Sequence, residues 1–223
     1  MIVGLTGGIG SGKSVIARQL REMGYTVYDT DSQAKRLIVE DAHVREQMEQ
    51  LFGKEVYQDG IYQTSIVAQR VFTDHSLLAQ LNAIVHPAVK ADILQYLTSD
   101  SETLQLLTDV AVPTAERSDF RQHSDLLFIE CAILYQAGFD ALCDKVVAVT
   151  APEDVRLARV IARDASTVDK VRARMRAQQT EQDLQRADIV INNDGQTPIP
   201  TLCEQIICQL KGAEFFRLPL AQR

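Results

Sequence analysis

Residues 7–14, Gly7-Gly8-Ile9-Gly10-Ser11-Gly12-Lys13-Ser14, constrain this chain more than any other stretch. They satisfy G-x-x-x-x-G-K-[ST], the phosphate-binding loop. Ile2-Val3-Gly4-Leu5-Thr6 before them reads as a short buried strand, and Ser14 to about Met23 after them reads as an amphipathic helix. Four glycines let the backbone wind tightly and turn its N–H groups inward, an anion-binding nest at a helix N-terminus. Lys13 supplies a flexible point charge for β- and γ-phosphates, and the Ser14 hydroxyl is placed to ligate Mg²⁺. Binding of a nucleoside triphosphate follows from this stretch alone.

The remaining composition narrows the partners. A net charge of −7 argues against a general nucleic-acid binder. Yet residues 152–178 hold seven basic side chains against four acidic ones, a +3 island in a chain otherwise at −10. Such an island is either a local polyanion site or a solvated helix face with i,i+4 pairs. Cys131, Cys143, Cys203 and Cys208 show no C-x-x-C spacing and no zinc-finger histidines, so free thiols in a reducing cytoplasm are expected. No signal peptide and no apolar run of membrane-spanning length is evident, so no membrane partner is expected.

Taken in order, Tyr25 to Tyr28 gives a second strand, ending in Asp29-Thr30-Asp31-Ser32. Carboxylates there stand where open α/β sheets place ligands, and one of the two is equally suited to cap the following helix. Residues 41–97 read as mostly helical, with a loop or small turn near Gly53 to Ile61. Helices are expected over 65–72 and 76–85, the second ending at His86-Pro87 because α geometry is disfavoured before proline. That block is too long for a plain crossover and is a candidate acceptor-binding region. Residues 98–125 are a polar, irregular excursion. Leu126 to Ile129 is a central strand followed by Glu130, a carboxylate either structural or related to Mg²⁺. Lys145 to Thr150 and Ile189 to Ile191 are further strands, with helices from 153 to about 163, 168 to 179 and 198 to 211. The alternation predicts an α/β fold of three layers, with a central parallel sheet and helices on both faces.

A phosphate loop alone does not separate a switch GTPase, a motor ATPase and a small-molecule kinase. The chain lacks the N-K-x-D tetrapeptide that reads guanine. It has a helical block between its second and third strands, where nucleotide kinases hold the acceptor. Its arginine-rich helix pair lies late, where such kinases carry a lid. Phosphoryl transfer needs charge neutralisation and an aligned hydroxyl, which Lys13, Mg²⁺ and a lid arginine on one side and Asp31 on the other would supply.

Thr6 to Ser14 together with Asp29-Thr30-Asp31 resembles dephospho-CoA kinase, whose members open with T-G-G-I-G-S-G-K-S followed by D-A-D. Leu81-Asn82 with His86-Pro87, Arg159 with Arg163-Asp164, Arg174 to Gln178, and Ala187-Asp188 with Asn193 resemble further family motifs in the same order. The resemblance implies a single P-loop kinase domain with its core near 1–30, 125–150 and 187–211. It also implies a helical acceptor-binding subdomain near 31–97 and a helical lid near 152–186. It implies ATP-dependent phosphorylation of the ribose 3′-hydroxyl of dephospho-CoA, completing coenzyme A synthesis. Carried over by position, Gly10, Ser11, Gly12, Lys13, Ser14 and Val15 wrap the ATP phosphates, Ser14 serves Mg²⁺, and Asp31 is the base or orienting group. Arg163 reaches the transferring phosphoryl group, Arg159 partners it, and Asn193 lies near the adenine. His86 either contacts the acceptor or caps a helix at the break.

Two departures stand out. The family has P-L-L-F-E after its third strand where this chain has Ala132-Ile133-Leu134-Tyr135-Gln136, and residues 98–125 exceed the usual length. The competing expectations are another nucleotide or nucleoside kinase and a regulatory ATP-binding module. A module of that kind needs neither Asp31 nor the lid arginines.

Overall fold

A computed structural model describes residues 1–74, 76–99, 126–178 and 181–212. In chain order the elements begin β1 (Ile2–Thr6), α1 (Lys13–Glu22), β2 (Thr26–Asp29), α2 (Thr30–Glu40) and α3 (Ala42–Phe52). There follow β3 (Tyr57–Gln58), β4 (Ile61–Tyr62), α4 (Thr64–Thr73) and α5 (Ser76–Ser99). The second half holds β5 (Leu127–Glu130), β6 (Lys145–Thr150), α6 (Glu153–Asp164), α7 (Val168–Ala177), α8 (Glu181–Gln185), β7 (Ile189–Asn192) and α9 (Ile199–Lys211). The chain divides into two compact units, one holding Met1–Asp29 and the elements from β5 onward, the other beginning at Thr30.

The first unit is built on a parallel five-stranded sheet in the order β2-β5-β1-β6-β7. The apolar runs of the three central strands, β5, β1 and β6, are buried on both faces, as parallel strands flanked by helices require, while edge strand β7 leaves Val190 exposed. Val3, Leu5, Phe128, Val147 and Val149 are fully buried. Helix α1 turns Ile16, Ala17 and Leu20 toward this core, and α9 adds Leu202, Cys203, Ile206 and Ile207 at helical spacing. Strand β1 lies between β5 on one side and β6 on the other, so its carboxyl end is the switch point of the sheet. Ligands of open α/β sheets bind at that position. Residues 7–12 occupy it.

The second unit is helical, with a core of Val44, Met48, Phe52, Val56, Tyr57 and Val67. Asp41 caps α3 by accepting the N–H groups of His43 and Val44, both at 2.9 Å. One reading is extended here and another changes. The expected loop or small turn near Gly53 to Ile61 holds a turn at Asp59 and Gly60, at φ 50° and 80°, and adds two short strands paired antiparallel across it, β3 with β4. Asp-Gly is a favoured pair for that left-handed turn, but two-residue strands leave no periodicity to read.

The expected helix break at His86-Pro87 does not occur. Helix α5 runs through Pro87 from Ser76 to Ser99. A proline inside a helix costs about 3 kcal/mol through its missing N–H and ring clash. Val85, Val89 and Ile93, four residues apart on one face, are buried and outweigh that local penalty. His86 therefore sits within a helix, and its capping role at a break falls away. Of the expected excursion at 98–125, residues 100–125 lie outside the described residues. All four cysteines are free, and burial pushes the thiols of Cys143 and Cys203 up to about 12. No helix among the described residues is long and apolar enough to cross a membrane.

Burial, rather than local propensity, carries α5 past Pro87, so shortening one anchor beyond it is costly. Ile93→Ala is expected to lower unfolding free energy by about 2–5 kcal/mol in urea titration. A loss under about 1 kcal/mol would show that the distal half of α5 is not held by its buried face.

Candidate active site

The loop after β1 enters α1 through Gly12, whose φ of 87° is left-handed. A Cβ there would collide with the Asn193 amide, so glycine is required both for conformation and for space. Lys13, the first residue of α1, is buried, and its Nζ donates to Glu130 Oε1 at 2.7 Å. Ser14 Oγ donates to that same oxygen, also at 2.7 Å. The register explains the meeting. Glu130, last in β5, lies beside Leu5 of β1, two residues short of the loop. Arg21 approaches the other carboxylate oxygen, Oε2, at 3.8 Å. The carboxylate left open between two roles in the sequence is thus bonded to both Lys13 and Ser14.

The loop is also braced from the far end of the chain. Asn193 follows β7 directly and is buried, and its Nδ2 donates to the Ser11 carbonyl at 2.9 Å. Arg159 of α6 donates through one nitrogen to the carbonyls of Asn193 at 3.1 Å and of Gly10 and Ser11 at 3.4 Å each. Its other terminal nitrogen donates to Asn193 Oδ1 at 3.3 Å. Both residues were expected against the nucleotide, and the structure sets both on the loop backbone. Their hydrogen bonds fix its shape. Val15 N–H donates to Gly12 O at 3.0 Å, closing the first turn of α1. Ser11 Oγ is buried and makes no hydrogen bond.

Arg163 stands apart from this group. It lies in the last turn of α6 and forms a two-pronged bond to Asp164, at 2.7 and 3.1 Å. Asp164 also accepts from Arg174 of α7 at 2.9 Å, tying α6 to α7. Bonds from Arg163 first and Arg174 second hold the Asp164 carboxyl down at about 2. Asp31 lies in the first turn of α2, two residues beyond the end of β2. His86 is partly buried in α5, and desolvation lowers its pKa. Gln136 is exposed. Sequence reasoning gave no role to one further contact: Ile9 N–H donates to Gln178 Oε1 at 2.6 Å. Its signal was the Arg174-to-Gln178 motif, which has no chemistry legible on its own.

The residues present suit a magnesium nucleotide. Ser14 and Glu130 offer hard oxygen donors side by side, the type Mg²⁺ selects. Among the described residues no cluster of three or more His, Cys, Asp or Glu could cage a metal alone. The partnerless Ser11 hydroxyl and the left-handed Gly10 and Gly12 leave a backbone cradle suited to phosphate oxygens.

Comparison with known proteins finds relatives over most of the chain. The family model for dephospho-CoA kinase matches residues 1–114 and 99–198. A dephospho-CoA kinase of Porphyromonas gingivalis is 41% identical over 185 residues, covering 83% of this chain and 81% of that protein. The crystal structure of TT1252 from Thermus thermophilus superposes with a TM-score of 0.72 at 30% identity, covering 95% of this chain and 98% of the other. The dephospho-CoA kinase from Campylobacter jejuni shares the fold at a TM-score of 0.62 and 20% identity, over 96% and 98% of the two chains.

The Asp164 network has a definite pH signature. A carboxyl depressed in the folded state stabilises fully above its unfolded value of 3.8, and that contribution is lost as pH falls through about 2. Arg174→Ala is expected to raise the Asp164 titration midpoint toward 3.8 in carboxyl-carbon NMR. An unmoved midpoint would remove Arg174 from the network.

Proposed function

The chain belongs to the dephospho-CoA kinase family, and from that premise we propose how its residues divide the work of that reaction. The enzyme transfers the terminal phosphoryl group of ATP to the ribose 3′-hydroxyl of dephospho-CoA, giving coenzyme A and ADP. The observation that carries the reading is the convergence of Lys13 Nζ and Ser14 Oγ on Glu130 within a braced phosphate loop. A phosphate loop of fixed shape binds the donor, and Lys13 places positive charge where the transferred group gains negative charge.

Ser14 and Glu130 would hold Mg²⁺, which would supply positive charge to offset that of the phosphate oxygens. Glu130 also keeps the Lys13 ammonium and the Ser14 hydroxyl aimed at one point, so neither has to search rotamers when the nucleotide arrives. Arg159 and Asn193 act as positioning residues through the loop backbone. Asp31 is the acceptor-side group: its carboxylate accepts the hydroxyl proton as the 3′-oxygen forms its bond to phosphorus and the bond to the ADP oxygen breaks. Arg163 is the lid arginine for the transferring group. Reaching it requires exchanging the Asp164 carboxylate for phosphate oxygens, a like-for-like swap of bidentate partners. The unit from Thr30 to α5 supplies the acceptor-binding surface, His86 included, while α6 and α7 form the lid. The free thiols fit a reducing cytoplasm, and an acidic chain fits small-molecule rather than nucleic-acid partners.

A coupled ATP-consumption assay with dephospho-CoA beside AMP, CMP and adenosine tests the assignment. Turnover is expected with dephospho-CoA alone, and turnover on another acceptor in its place would sink the reading. Asp31→Asn is expected to lower kcat by about 10²–10⁴-fold with ATP affinity nearly intact. Equal loss of ATP binding would give Asp31 a structural or metal-related role.

A further inference from the structure

Arg156 lies in the first half of α6 and has no counter-ion among the described residues. Its Nε is buried without a hydrogen-bond partner. One terminal nitrogen rests on the phosphate loop, so close that a Cβ at Gly8 would stand 2.6 Å from it. A cavity of about 380 Å³ opens there, lined by Gly8, Thr150, Glu153, Arg156, Arg176 and Gln178 among others. Glu153 is the acidic residue of that lining, and it already accepts from Arg172 at 3.2 Å.

Gln178 sharpens the picture. Ile9 N–H is a donor, so the side-chain atom facing it is the amide oxygen. The opposite end of the amide is then NH₂, and it makes no hydrogen bond to a described residue. The cavity therefore gathers a half-buried guanidinium, an exposed one from Arg176 and an amide donor with no acceptor among the described residues. A buried cationic donor without an acceptor is costly, and a negatively charged group rich in acceptor oxygens relieves the cost. Planar guanidinium forks match phosphate oxygens two at a time.

We propose that Arg156 and Gln178 form a phosphate-oxygen subsite beside Gly8 and Ile9, contacting a phosphate group of the reaction's substrates. The subsite rests on the function proposed above and adds two contact residues to it. Gln178 serves twice there, fixing the loop through Ile9 and presenting its NH₂ to the ligand. The phosphate belongs either to the donor's terminal group or to the acceptor's diphosphate, and the two sources are separable.

Calorimetry on the full chain with Mg²⁺ measures Kd for ATP, ADP and dephospho-CoA in wild type, Arg156→Met, Arg156→Lys and Gln178→Leu. If the donor's terminal phosphate is the ligand, Arg156→Met weakens ATP about tenfold or more while ADP and dephospho-CoA move less than about twofold. If the acceptor's diphosphate is the ligand, dephospho-CoA weakens alone. Either pattern supports the subsite, and Gln178→Leu should show the same selectivity at smaller size. Equal weakening of all three ligands, or none, would overturn it. Arg156→Lys keeps the charge and decides the matter if Arg156→Met fails to fold: partial, ligand-selective loss supports the subsite, and loss without selectivity overturns it. Wild-type protein that binds ATP but transfers nothing to dephospho-CoA would sink the proposed reaction, leaving the ATP-against-ADP comparison to judge the subsite.

Discussion

The buried pair between Lys13 and Glu130 is the contact on which the rest of the site depends. An ammonium and a carboxylate taken out of water lose several kcal/mol of hydration each, and only close geometry with further hydrogen bonds offsets that loss. Here the geometry is supplied by the sheet. Strands β1 and β5 run in parallel with Leu5 beside Glu130, which brings the carboxylate up to the first turn of α1. Ser14 and Arg21 add the donors that a buried carboxylate demands. A structural ion pair would be expected to resist disturbance. In the proposed reaction a phosphate and a metal would compete for both of its members, so stability and chemistry would draw on one group.

The loop's shape is set from distant parts of the chain. Asn193 and Arg159 hold the carbonyls of Gly10 and Ser11, while Gln178 takes the N–H of Ile9. With outward carbonyls held, the loop's remaining N–H groups have no reason to reorganise when an anion binds, and that is the meaning of a preorganised electrostatic site. The same contacts join α6 and the end of α7 to the loop. Helix α6 carries Arg156 and Arg159, and the end of α7 carries Gln178. Asp164 locks the two helices together through Arg163 and Arg174.

Much of this was legible in the residues, and the remainder was not for physical reasons. The strands of the main sheet could be read because each is a short apolar run next to a turn signal, and the phosphate loop because its glycines and lysine are consecutive. Pro87 signals a helix end by local backbone preference, and the burial of Val89 and Ile93 that overrides it comes from packing. The β3–β4 hairpin is too short to show alternation. Glu130 was recognised as a strand-end carboxylate, but its bond to Lys13 is a matter of register between strands more than a hundred residues apart. Arg159 and Asn193 were legible as important through family resemblance. Their contacts to the loop backbone are fixed only by the fold, since no local pattern predicts a bond across 148 or 182 residues.

The central claim is that Glu130 organises Lys13 and Ser14 for a magnesium nucleotide. Glu130→Gln is the most direct probe, because it keeps size and an acceptor oxygen while removing the charge. ATP affinity with and without Mg²⁺, measured beside far-UV circular dichroism, reads the claim without relying on turnover. The account predicts a folded variant in which the Mg²⁺-dependent gain in ATP affinity falls by about tenfold or more, the scale of one charged contact. A folded variant that keeps the full Mg²⁺ effect would contradict it.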